Sequence, residues 1–129
     1  MNERDPKLIA LLYNECINAR DLKGVIALMA ENHKFIDTKN RVKTKEQMKT
    51  SWNEFFTEYP DYRNVFHTVI SKNNFVILLG HSECSEPALD GPAIWTAKID
   101  NNQVAEWRIY DDSEDNRKLL RIKETKFVD

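Results

Sequence analysis

The chain has 129 residues, a formal net charge of −2 with the signs mixed along its length, and 41% hydrophobic residues. That length fits one domain with a substantial core that needs no metal or disulfide staple. The charge pattern offers no basic stripe for nucleic acid and no acidic tail, and the longest strongly apolar run, Phe75 to Leu79, is far too short to span a bilayer.

Cys16 and Cys84 form neither a metal-like spacing nor a disulfide framework, which fits a reduced, cytoplasmic setting. The opening MNERDPKLIALLYN has no basic start, long apolar run and small-residue cleavage site, so no signal peptide is expected. The expected unit is residues 1–129, with its core at about 7–115 and a loosely held tail at 121–129.

In chain order, Asp5 and Pro6 read as the cap and first turn of a helix. Ile9, Leu12, Tyr13, Cys16 and Ile17 form its apolar face. Asp21 caps a second helix whose stripe is Leu22, Val25, Ile26 and Met29. His33 to Thr38 reads as a short extended segment that contains Asp37 near its end. Thr44 and Gln47 have the spacing of a capping box. The helix they open carries Met48, Trp52, Phe55, Phe56 and Tyr59 on one face and stops before Pro60, because the residue preceding a proline disfavours helix.

After Pro60-Asp61 the pattern turns to strand, at Tyr62 to Ser71 and Phe75 to Cys84, with Lys72-Asn73-Asn74 between them. Glu86 to Pro92, with two prolines and a glycine, reads as a loop. Ala93 to Asp112 reads as a hairpin. A two-residue Asn101-Asn102 turn pairs Ile99 with Val104 and Trp95 with Arg108; a three-residue loop with a bulge pairs Trp95 with Trp107. The second register is favoured, because it gathers Ala93, Trp95, Ala97, Ile99, Ala105, Trp107 and Ile109 on one face and leaves Val104 on the other. Ser113 caps a short final helix, Glu114 to Leu120.

Three helices followed by a mainly antiparallel sheet predict an α+β fold, with the helices in the concave face of a curved sheet and a pocket at the open end of the resulting cone. The order of elements resembles the nuclear transport factor 2-like superfamily, and within it the SnoaL-like and ketosteroid isomerase-like branches. The resemblance covers roughly residues 7 to 115. Its pieces are NARDLKGVIALMAENHKFID, the Pro60-Asp61 pair and NNQVAEWRIYDD. It implies a hydrophobic pocket and a homodimer through the outer sheet face. Tyr13 stands where the isomerases place an oxyanion donor, and Asp37 where they place the general base. Trp95 takes the place of their second oxyanion acid, a departure that argues against steroid isomerisation. In SnoaL-like polyketide cyclases an aspartate is the acid/base, a part open here to Asp37 or Asp111.

The candidate catalytic residues are therefore Asp37, Tyr13 and Asp111. Trp52, Phe56, Trp95, Trp107 and Ile109 are the expected pocket wall. His67 and His81 join it if the Lys72 to Asn74 turn has three residues, since a two-residue turn puts them on opposite faces. No metal site and no cofactor motif is expected. Two functions stand side by side. One is a cofactor-free isomerase, cyclase or dehydratase acting on a small apolar or cyclic molecule, with no nucleic acid or membrane partner. The other is a non-catalytic ligand-binding or dimeric assembly module.

Overall fold

The computed structural model describes residues 4–122; the tail expected at residues 123–129 lies outside them. The first helix, α1 (Pro6–Asn18), starts with the Asp5 carboxylate accepting from the Lys7 N–H at 2.9 Å. Beyond its cap at Ala19 the chain turns away at Arg20, which adopts a left-handed conformation (φ 58°). The Arg20 guanidinium donates to the carbonyls of Ile17, Asn18 and Pro60, which ties the end of α1 to the end of the third helix. Asp21 caps α2 (Leu22–Leu28) through the Gly24 N–H. Met29 opens β1 (Met29–Ile36) rather than closing α2, because its backbone turns extended at that point.

A tight loop leads to the short edge strand β2 (Val42–Thr44), which the hydrophobic pattern does not announce since all three residues are exposed. The capping box forms as expected: Gln47 Oε1 accepts from the Thr44 N–H at 2.9 Å and Thr44 Oγ1 from the Gln47 N–H at 3.3 Å. It opens α3 (Lys45–Glu58). Then follow β3 (Arg63–Lys72), β4 (Phe75–Glu83), a single 3-10 turn at Pro87–Leu89, β5 (Gly91–Asp100), β6 (Gln103–Asp111) and α4 (Glu114–Leu119).

The six strands form one sheet in the order β2-β1-β6-β5-β4-β3, antiparallel except for the parallel pair β1–β6. The concave side holds the main core, where Ile9, Tyr13 and Ile17 of α1 meet Leu78, Trp95 and Trp107 of the sheet. This is the expected α+β arrangement.

The hairpin register differs from the favoured one. Asn101 and Asn102 both take positive φ (50° and 62°) and Asp100 pairs with Gln103, so the turn has two residues. Two successive left-handed asparagines match the twist of the strands they join. Ile99 then faces Val104 but Lys98 faces Glu106, which leaves Ala105 as an extra residue in β6. Trp95 therefore stands opposite Ile109, and Trp107 opposite Ala97. The bulge restores the alternation, so both tryptophans still share the concave face. The three-residue register would put Val104 on the outer face; it is fully buried in the main core instead.

A second bulge sits at His67 in β3. There the β3 backbone crowds β4: a Cβ on Gly80 would lie 1.9 Å from the Val65 carbonyl oxygen, so only glycine fits. On the convex side a small cluster of Ile77, Leu79 and Ile94 is covered by Phe75, Tyr110, Leu120 and Ile122. The chain's own C-terminal segment thus lies over part of the outer face. The bidentate Asp112–Arg117 ion pair, at 2.6 and 2.9 Å, and the Asn116 Nδ2 to Asp111 carbonyl bond, at 2.8 Å, hold it there.

Candidate functional site

Between α3 and the strand ends of β1 and β6 lies a cleft of about 400 Å³, within the range of small-molecule sites, about 300 to 1,000 Å³. Its floor is apolar and mostly aromatic: Phe35, Trp52, Phe55, Tyr62, Leu89 and Ile109. Its rim is polar, with Asp37, Arg41 and Lys43 on one side and Glu54 and Glu58 on the other. The helical spacing of Trp52 and Phe55 puts both on the side of α3 that faces the sheet. Trp52 meets Phe35 and Phe55 edge-on and stacks on Phe56 at 5.4 Å.

Asp37 shares this cleft. Its carboxylate also shapes the loop between β1 and β2: Oδ1 accepts from the N–H groups of Lys39 and Arg41 at 2.9 and 3.0 Å, and Oδ2 accepts from Arg41 Nε at 2.6 Å. Slight burial pushes its pKa up, but the Arg41 and Lys39 hydrogen bonds and the Arg41 charge outweigh that and hold it below the usual carboxylate range.

Tyr13 does not line the cleft. It is fully buried, its ring 4.8 Å from that of Trp107, and its hydroxyl accepts from Trp52 Nε1 at 3.3 Å. Burial raises its pKa strongly. Trp52 thus stands between the cleft and the phenol. Asp111 is exposed at the end of β6, directly opposite Ala93, and is not among the residues that line the cleft. Of the expected wall residues, Trp52 and Ile109 line the cleft, while Phe56, Trp95 and Trp107 back it from the core.

The two histidines lie elsewhere. His67 occupies the β3 bulge and bonds Thr68 Oγ1 at 2.7 Å; His81 pairs with Glu83 at 3.2 Å next to Val65 on the neighbouring strand. The β3–β4 turn has two residues, since Lys72 pairs with Phe75.

Two polar features of the interior carry no signal in the sequence. The first is a buried network: Asn64 Nδ2 donates to Asn14, the Asn64 N–H to Asn18, and the Ser82 hydroxyl to Asn64 Oδ1. With the Ser82 proton committed, the hydroxyl of Tyr62, 3.1 Å away, donates to Ser82. The network fixes Tyr62 at the cleft floor. The second is His33, where the parallel ladder breaks: Met29 pairs with Val104, yet the next pair is Lys34 with Glu106. The buried imidazole fills the gap, with Nδ1 2.7 Å from the Val104 carbonyl oxygen. Burial lowers its pKa; the Val104 bond opposes this and Lys45 adds to it.

Among the described residues, no group of three His, Cys, Asp or Glu side chains is placed to hold a metal ion, and no helix is long and apolar enough to cross a membrane.

The fold recurs in solved structures. An NTF2-like protein of unknown function from Cytophaga hutchinsonii superposes with a TM-score of 0.72 at 13% identity, over 92% of this chain and 97% of that one. A protein from Shewanella putrefaciens assigned as a SnoaL-like polyketide cyclase gives 0.73 at 18% identity, over 93% and 99%. TerC, co-crystallised with polyporic acid, gives 0.71 at 12% identity, over 91% and 99%. At these identities the likeness is one of fold. No curated protein matches the chain in sequence. The model of the SnoaL-like domain matches residues 10–113, from the middle of α1 to the cap of α4. With that span covering nearly every element that builds the cone and its cleft, the chain belongs to the SnoaL-like domain family.

Proposed function

We propose that this protein binds a small apolar or cyclic molecule in the cleft between α3 and the sheet. The observation that carries the reading is the aromatic floor of Phe35, Trp52 and Phe55 set beneath a charged rim in one concavity. Such a floor takes a ring face-on or edge-on, and the rim orients any polar substituent. TerC's co-crystallisation with polyporic acid supports the reading in kind. The test is a thermal-shift screen of ring compounds followed by amide NMR. Hits that perturb Ser51 to Phe55 and Phe35 support it; a screen whose hits all map elsewhere overturns it.

A second reading, proton transfer by Asp37 in an isomerase, cyclase or dehydratase reaction, rests on that carboxylate sharing the cleft with the aromatic floor. It requires the ligand to draw Arg41 away, because an Asp held below the usual carboxylate range is a weak base. Binding is favoured for that reason. Asp37→Asn separates the two. Its side-chain oxygen still accepts from the Lys39 and Arg41 N–H groups, so the loop persists. A turnover falling by about 10²- to 10⁴-fold with affinity unchanged establishes catalysis, and unchanged turnover of any converted hit removes it.

A homodimer through the outer sheet face belongs to the same proposal, as does a cytoplasmic setting, the latter on two free cysteines. The exposed Ile70 on β3 offers a second copy apolar area, whereas Leu120 and Ile122 occupy the area over Ile77, Leu79 and Ile94.

A further inference from the structure

We propose that the cleft takes ring compounds that bear a carboxylate, with that group held at one end by Arg41, Lys43 and Ser51. The inference rests on the cleft reading and adds to it the class of ligand. The sheet edge sets the charge at this end. Lys43 of β2 pairs directly with Phe35 of β1, and Phe35 pairs with Trp107 on the concave side. Residues opposite one another in a sheet project to the same face, so the lysine stands beside the aromatic floor and lines the cleft. Arg41, two residues earlier, lines it too. Ser51 meets them from the helix side: Lys43 Nζ donates to its Oγ at 3.0 Å, which joins β2 to α3 at the cleft's edge.

The donors here outnumber the acceptors. Arg41 commits Nε to Asp37 at 2.6 Å, and its side chain is 70% exposed with both Nη groups uncommitted among the described residues. Ser51 accepts from Lys43, and among the described residues nothing accepts its own proton. The carboxylate on this side of the rim, Asp37, already accepts three N–H groups. The charges leave the same remainder. Asp37 is paired with Arg41, and Glu46 with Lys49 at 2.8 Å, whereas Lys43 has no ion pair among the described residues. Glu54 and Glu58 also line the cleft, but they stand about 5 and 10 Å further along α3 than Ser51. The Ser51 end is therefore positive by one charge. A group that only accepts, and carries one negative charge, answers all three donors. A carboxylate fits that description; a hydroxyl or amide brings protons of its own, an ammonium meets Lys43 as a like charge, and a phosphate dianion exceeds the charge available. A ring lying on Phe35 and Trp52 reaches Lys43 with its carboxylate, because Phe35 and Lys43 are cross-strand neighbours about 5 Å apart.

The test compares 2-naphthoate with 2-naphthamide at neutral pH, two probes of one shape that differ in charge. Binding is read by thermal shift and by NMR, with Phe35, Trp52 and Phe55 marking the floor. Both probes are expected to perturb those residues. Naphthoate is expected to bind roughly tenfold more tightly and to shift the Arg41 guanidinium resonances. Added salt is expected to weaken naphthoate alone. Lys43→Met keeps a side chain of similar length without the charge, and is expected to weaken naphthoate roughly fivefold and leave naphthamide unchanged. If neither probe perturbs the floor, the cleft reading itself fails and this inference with it. If the amide binds there as tightly as the acid, or the methionine variant weakens the two equally, the cleft stands and the carboxylate position is overturned. Naphthoate that tracks Lys43 without perturbing Phe35 or Trp52 is a surface ion pair and overturns it likewise. Should the methionine variant not fold, the salt dependence and the Arg41 shifts of the wild-type chain decide alone.

Discussion

The indole of Trp52 donates its Nε1–H to the hydroxyl of Tyr13 at 3.3 Å, so one residue of the cleft wall is also the lid over a buried phenol. The bond couples α3 to α1 across the core. Replacing Trp52 with Phe removes the donor and part of the ring volume while keeping an apolar side chain. A stability loss of about 1–3 kcal/mol is expected. Urea unfolding at neutral pH measures it, and a change within error would show that the bond and its packing contribute nothing net.

His33 makes stability depend on pH. The unfolded imidazole titrates at its ordinary value of 6.5, and the folded one lower, chiefly because it is buried. Between those values the unfolded chain binds the extra proton. Stability is therefore full above pH 6.5 and falls as the pH drops through the folded value, with a slope approaching about 1.4 kcal/mol per pH unit. Unfolding midpoints at pH 7.5 and 5.5 should differ in the wild-type chain and converge in His33→Asn. An equal drop in both would place the effect on other groups.

Asn64 serves α1, β3 and β4 at once. Truncation to Ala strands Asn14, Ser82 and the Tyr62 hydroxyl behind it in a buried setting. A loss of about 2–4 kcal/mol is expected, more than one hydrogen bond's worth, because the partners are left unpaired. Denaturant unfolding gives the number. Tyr62 lies on the cleft floor, so affinity for any cleft ligand should weaken with it.

The C-terminal segment offers a test of self-association. Replacing Leu120 and Ile122 with Ala removes their cover from Ile77, Leu79 and Ile94. The double variant should lose about 2–4 kcal/mol and shift towards a dimer, read as molar mass by light scattering over a concentration series. If the variant keeps the molar mass of the wild-type chain at every concentration, the uncovered face does not pair.

Much of this was legible from residues close together in the chain. The Asp5, Asp21, Thr44 and Ser113 caps form as their spacing predicts, and all four helices follow. The arrest of α3 before Pro60 is equally local. Asp37 was legible as a site candidate only through the resemblance to the isomerases' general base. Its partnership with Arg41 was not, since that depends on how the loop closes. Tyr13 was legible as buried, yet its separation from Asp37 by Trp52 was not, because helical periodicity gives a face and not what stands in front of it.

By itself the sequence determined which stretches coil, which extend and which sides of them avoid water, because capping, proline and side-chain period act over a few residues. Only the tertiary structure decided the rest. One inserted residue at Ala105 and another at His67 reset the pairing of whole strands. The broken ladder beside Val104 turned His33 into a buried group with one nitrogen satisfied and one bare. Such choices rest on contacts between residues tens of positions apart, where a shift of one residue changes which polar atoms meet, and no local pattern along the chain records that distance.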